Sequence, residues 1–197
     1  KTEKAIESLR KAAETGDRDA QWRLGYIYSG SAPLSRESVE DSKITNLEEA
    51  AKWYRLAADQ GEEIALSWLA TAYRTGEGVE QDHREAVKLF RKLAEAGDGD
   101  AALKLAEGYV RGRGVAQNFD EARKWFFEAW GEDVGLGEYF DWMFERADQQ
   151  DVMDWIQVGI DRGDTKFMIG LAGSYETGTI DATDGWPQIT EKLYRQA

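Results

Sequence analysis

His83 is the only histidine in the chain. With Asp82 before it and Glu85 after it, an imidazole could bind a metal ion or move a proton. Its position argues otherwise, because Gln81-Asp82-His83 reads as the start of a helix, where an exposed histidine has no partner for chemistry. Asp98-Gly99-Asp100 has the opening of a calcium loop, but the remaining ligands are absent and a helix follows at once. Asp98 and Asp100 therefore read as turn and N-cap residues. No nucleophile motif, phosphate loop or zinc spacing is present. The sequence has no cysteine, which removes thiolate metal sites and disulfides. These residues point to no catalysis, no metal and no cofactor.

Two other sets of side chains suit binding. Arg10, Arg55, Arg91 and Arg195 share one column of a repeated segment, interrupted by Phe127 and Gln157. Stacked guanidinium forks would grip the carboxylates of a peptide or an acidic polysaccharide. The alternative is pairing with acids one turn away, such as Glu7, Glu14, Asp59 and Glu95. The tryptophans form the second set. Trp53, Trp125 and Trp155 share a column with Leu89 and read as core. Trp22 and Trp68 map on to columns that other repeats fill with Ser67, Arg23 and Lys104, so they read as interface anchors or as packing beside a loop. Trp142 maps on to a small core position and would plug its repeat. Trp186 lies in a Gly185-Trp186-Pro187 turn.

The elements that position these columns come from a repeat. Leu-[Gly/Ala]-x-x-Tyr occurs at Leu24–Tyr28, Leu69–Tyr73, Leu105–Tyr109 and Leu171–Tyr175. Ala50, Tyr54, Arg55, Gly61, Ala65, Leu69, Tyr73, Gly76 and Gly78 recur thirty-six residues on as Ala86, Phe90, Arg91, Gly97, Ala101, Leu105, Tyr109, Gly112 and Gly114. Self-similarity at this period is the mark of a stacked repeat architecture. Each repeat reads as helix A, turn, helix B, turn. Helix A places apolar residues at i, i+3, i+4 and i+7. Gly61, Gly97 and Gly163 read as the residues that end it in a left-handed conformation. Ala65 and Ala101 are small because helices A and B approach closely there.

The expected units are about 3–30, 47–82, 83–118, a degenerate 119–148, 150–184 and a truncated 187–197. An inserted loop occupies 31–46, nine residues longer than its counterparts. The degenerate unit lacks the Ala, Leu and Tyr columns of helix B. Its Gly131, Gly135 and Gly137 would bend the stack and expose a partner surface, the alternative being tolerated decay of the repeat. The chain reads as an excised fragment of a longer protein.

Acidic residues outnumber basic ones by 38 to 25, giving a net charge of −13. That excludes a nucleic-acid surface and an anionic membrane surface, both of which need clustered positive charge. No apolar run approaches the roughly 20 residues of a membrane helix.

The segment Ala50–Asp82, with its A-x-x-W-Y-x-x-A-A-x-x-G…A-x-x-x-L-A-x-x-Y-x-x-G-x-G-V-x-x-D pattern, resembles the Sel1-like repeat. The resemblance covers nearly the whole chain, strongly in the second and third units and weakly in the fourth. The chain differs from the cysteine-rich Helicobacter branch, since the paired cysteines are missing. The resemblance implies an all-α fold, a right-handed superhelical α/α solenoid of tetratricopeptide-like repeats whose A helices line a concave face. It implies a non-enzymatic scaffold or adaptor that binds a protein partner. Such proteins assemble or regulate bacterial envelope complexes, including exopolysaccharide export and signalling, so periplasm or envelope is favoured over cytoplasm. The expected partner-binding residues are Arg10, Arg55, Arg91, Trp22 and Trp68. The alternative is that the concave groove binds an acidic carbohydrate.

Overall fold

The computed structural model describes residues 2–31, 45–131, 135–164, 166 and 169–170. Among them every regular element is a helix: α1 (Thr2–Glu14), α2 (Arg18–Tyr28), α3 (Leu47–Asp59), α4 (Glu63–Thr75), α5 (His83–Glu95), α6 (Gly99–Arg111), α7 (Phe119–Trp130), α8 (Leu136–Phe144) and α9 (Gln149–Asp161). The fold is all-α, of paired helix–turn–helix repeats in the solenoid class. The chain divides into two compact units, Lys1–Ala101 and Ala102–Ala197. In the first, α1 packs on α2, α2 on α3, α3 on α4 and α4 on α5.

Short polar residues start the A helices. The side chains of Asn46, Asp82 and Asn118 accept hydrogen bonds from backbone N–H groups in the first turns of α3, α5 and α7, at 2.9–3.1 Å. Such a cap stabilises a helix by about 1 kcal/mol. The backbone N–H of each cap also donates to the carbonyl of the preceding motif tyrosine. The distances are 2.8 Å to Tyr28, 2.9 Å to Tyr73 and 3.0 Å to Tyr109. One residue thus begins a helix and ties it to the end of the previous one. Asp98 caps α6 through the Ala101 N–H at 2.9 Å, as its spacing predicts. His83 opens α5 and is half-buried.

The helix ends follow the glycines. Gly61, Gly97 and Gly163 have φ of 84°, 97° and 75°, the left-handed region a helix terminus uses. Gly78 is the most constrained. Its φ is 73°, and a Cβ there would lie 2.3 Å from the Leu47 carbonyl oxygen. Gln81 and Gln117 close the same turns, donating to the carbonyls of Arg74 and Val110 at 2.9 and 3.0 Å.

The core columns are Leu24, Leu69 and Leu105 on B helices and Tyr54, Phe90 and Phe126 on A helices, all buried. Full burial of each such side chain contributes about 1.5–3 kcal/mol. The tryptophan column is only partly core. Trp125 is buried, whereas Trp53, Leu89 and Trp155 are half-buried. In α3 the buried residues Ala50, Ala51, Tyr54, Ala57 and Ala58 centre the inward face on Tyr54. Trp53 lies at its edge, against a cluster of Ala13, Ala20 and Leu24.

In the second unit α8 has nine residues, and Tyr139, Phe140 and Met143 are fully buried. They reproduce the i, i+1, i+4 spacing of Leu105, Ala106 and Tyr109 with different residue types. Large side chains thus fill this core where an alanine packs elsewhere. Tyr139 lies 5.1 Å from Phe126, ring to ring, and its hydroxyl donates to the Phe119 carbonyl at 2.8 Å. Burial pushes its phenol far above the ordinary tyrosine range. Trp142 is half-buried at the cluster edge, 5.2 Å from Phe126, so the filling of this core falls to Tyr139 and Phe140. The inserted loop from 32 to 44, Val134, the motif Leu171–Tyr175, Gly178, Trp186 and the sixth unit with Arg195 lie outside the described residues.

Candidate functional site

The expected site residues fall on different kinds of helix. Arg10, Arg55 and Arg91 belong to the A helices α1, α3 and α5. Trp22 and Trp68 belong to the B helices α2 and α4.

The Arg55 guanidinium donates to the Tyr73 hydroxyl at 2.8 Å, and Arg10 donates to the Tyr28 hydroxyl in the same way. Both bonds span eighteen residues. They join helix A to the motif tyrosine at the end of helix B. The Tyr28 hydroxyl, with Glu7 and Glu14 adding less, raises the pKa of Arg10. Arg55 and Lys52 also line an open groove of about 780 Å³, together with Glu48, Tyr73, Glu80 and Asp82. Cations and carboxylates are mixed there. Arg91 is half-buried on α5.

The tryptophans meet a different groove. Trp68 stacks on Tyr54, with centroids 4.7 Å apart and planes 28° apart. Tyr54 is buried, which raises its phenol pKa and keeps it neutral. On its other side it lies against Gly25 of α2, where a Cβ would come within 2.7 Å of the ring. Trp68 and Tyr54 line a groove of about 530 Å³ with Tyr26, Ile64, Glu63 and Asp98. Trp22 lies 6.2 Å from Tyr26, ring to ring, and extends these aromatics along α2. The Arg23 guanidinium sits 5.7 Å over the Trp22 ring. The structure therefore brings Trp22 and Trp68 to one side through Tyr26, with Arg55 in the other groove.

Ile64 is the residue that sequence reasoning missed. It is 52% exposed, and it lies one turn before Trp68 on the same face of α4. Its column holds Asp19 and Asp100 in the neighbouring repeats. An apolar residue in a polar column is the signal that could have found it.

Among the described residues no group of three metal-ligating side chains comes together. None of the described helices is long and apolar enough to cross a membrane. Helix pairs repeated along the chain with surface grooves define a class, the α-helical repeat scaffolds. The sequence profile described as Sel1 repeat matches residues 18–62, 64–98 and 99–129, and the chain belongs to the Sel1 repeat family. Sel1 repeats are non-catalytic scaffolds that mediate protein–protein interactions.

The crystal structure of a Sel1 repeat protein from Oxalobacter formigenes is similar, at 28% identity and a TM-score of 0.54, over 64% of this chain and 89% of that one. A protective antigen present in uropathogenic Escherichia coli strains, displaying an SLR fold, is 22% identical with a TM-score of 0.48 over 97% of this chain and 48% of that one. Helicobacter pylori cysteine rich protein B is 21% identical with a TM-score of 0.43 over 65% and 92%. No curated protein matches the sequence.

Proposed function

We propose that this chain is a scaffold that docks a segment of a partner protein in the groove beside Trp68. The observation that carries this reading is the Ile64–Trp68 face of α4. It sets two apolar side chains beside Tyr26 where other repeats carry polar residues. Large aromatics at the centre of a preformed surface are the usual anchors of an interface, and a rigid groove lowers the ordering cost of an extended partner. The complex it would assemble or regulate is one of the bacterial envelope, such as exopolysaccharide export or signalling. That setting is what the resemblance to Sel1-like proteins implies, and a relative of known structure comes from a bacterium. Periplasm or envelope is the compartment this reading favours.

A second reading rests on Arg55. With Lys52 in an open groove, and Arg10 and Arg91 in the same column, it would meet carboxylates of an acidic protein segment or polysaccharide. Glu48, Glu80 and Asp82 in that groove weaken the case. Site-specific photo-crosslinking in cells separates the two. Crosslinker at position 64 should trap a defined protein that crosslinker at position 52 does not. Trapping at 52 alone, or polyuronate binding lost in the combined Arg10→Glu, Arg55→Glu, Arg91→Glu variant, would reverse the order.

A further inference from the structure

The groove beside Trp68 has a charge character that the groove beside Arg55 lacks. Its floor and walls set Tyr54, Trp68, Tyr26 and Ile64 beside the hydroxyls of Ser31, Ser67 and Thr71. Among the described residues its charged lining is Glu63 and Asp98, with no lysine or arginine. The groove beside Arg55 sets Lys52 and Arg55 among its acids. We infer that the Trp68 groove takes a basic segment of a partner protein, with a lysine or arginine over the indole and an apolar neighbour against Ile64. This rests on the reading of that groove as the docking surface.

The chemistry is that of a cation held between a π face and carboxylates. An ammonium or guanidinium over a tryptophan face is attracted by the ring quadrupole, more strongly as water is excluded. The same surface already shows the geometry within the chain, where Arg23 lies over Trp22 and pairs with Asp19 at 3.5 Å. Glu63 stands in the first turn of α4, on the face that carries Ile64, Ser67 and Trp68. Asp98 gives one oxygen to the Ala101 N–H and still presents its charge to the groove. Beyond the groove, the net charge of −13 draws a basic segment toward the protein and speeds encounter.

The test is selection from a random dodecapeptide display library on three proteins: the wild type, Trp68→Ala, and the combined Glu63→Gln, Asp98→Asn. Asparagine keeps the N-cap of α6, and Trp68→Ala removes a half-buried ring, with circular dichroism checking that each variant folds. The expected pool on the wild type is enriched in Lys or Arg next to an aliphatic or aromatic residue. Representative peptides should bind each variant at least tenfold more weakly. The double neutralisation changes the net charge by only two, so non-specific attraction to an acidic protein would survive it and local recognition would not. A neutral or acidic pool whose binding still needs Trp68 overturns the basic partner and leaves the docking groove standing. A pool that binds Trp68→Ala as well as the wild type overturns the groove itself.

Discussion

Gly25→Ala tests whether the groove floor is held by the contact between α2 and the ring of Tyr54. Gly25 lies inside α2, and alanine there gains about 1 kcal/mol from helix propensity alone. Against that stands the ring. A Cβ at position 25 would be 2.7, 2.8 and 2.9 Å from three ring atoms of Tyr54. The ring cannot swing aside freely, because Tyr54 is 1% exposed and stacks on Trp68 at 4.7 Å. Ordinary contact needs a retreat of close to 1 Å, and overpacking of that size costs about 1–3 kcal/mol. The steric term wins, and the net loss is expected at about 1 kcal/mol.

Urea unfolding of the wild type and the variant measures that loss directly, with the slope of the transition showing that the denatured state is unchanged. Near-ultraviolet circular dichroism reports the Tyr54–Trp68 stack in the same samples. The signature of a displaced floor is lower stability together with altered aromatic dichroism and weaker peptide binding in the groove. A variant that gains about 1 kcal/mol with unchanged dichroism would refute the reasoning, since propensity would then have acted on a ring that was not in the way.

Three further outcomes follow from the geometry. A double-mutant cycle on Arg55→Lys and Tyr73→Phe should give a coupling of about 0.5–1 kcal/mol in urea unfolding, small because the bond is exposed; zero coupling would leave Arg55 to recognition alone. Gly78→Ala should cost more than 2 kcal/mol, from about 1 kcal/mol of left-handed strain plus the clash with the Leu47 carbonyl, whereas Gly61→Ala, with φ of 84° and nothing within 4 Å, should cost only the strain; equal losses in thermal melts would remove the clash from the account. For Tyr139, the folded pKa lies above the unfolded value of about 10, so the folded state holds its proton longer. Stability is fully present below pH 10 and falls as pH rises beyond it, by about 1.4 kcal/mol per pH unit, and Tyr139→Phe should flatten that alkaline slope while costing about 1 kcal/mol at pH 7 through loss of the bond to Phe119; an unchanged slope in unfolding series from pH 9 to 11 would contradict this.

The repeat was legible because its constraints are local. A left-handed glycine, a capping Asp and an i, i+3, i+4 face each show within one turn of chain, and Gly61, Asp98 and Ala50–Tyr54 read out directly. Residue-by-residue mapping failed in the fourth repeat for the same reason. Tyr139, Phe140 and Met143 preserve the buried spacing while changing every residue type, so a search for Ala, Leu and Tyr finds nothing although the core is filled. Spacing survives there because the helix face must still meet its neighbours. Residue identity does not, because larger rings fill the volume that small residues would leave for close helix approach.

The binding surface was harder to read, because a column of like residues shows what recurs and not what each one touches. Arg10 and Arg55 recur in one column, and the residue each reaches lies eighteen positions on, at the tyrosine of the motif that first reveals the repeat. Arg91 and Tyr109 have the same separation. In the fifth unit Gln157 stands in place of the arginine while Tyr175 keeps the eighteen-residue separation, so the pairing is a feature of the first three units. A side chain that recurs with its partner is serving the repeat, since it joins the A and B helices of its own copy. Recognition of a particular partner calls for the opposite signature, a residue that breaks its column without a structural need. Ile64 has that signature, and Trp68 breaks its column while also stacking on the buried Tyr54. They replace Asp19 and Asp100, and Arg23 and Lys104, on an exposed helix face one turn apart, and the groove forms where they do.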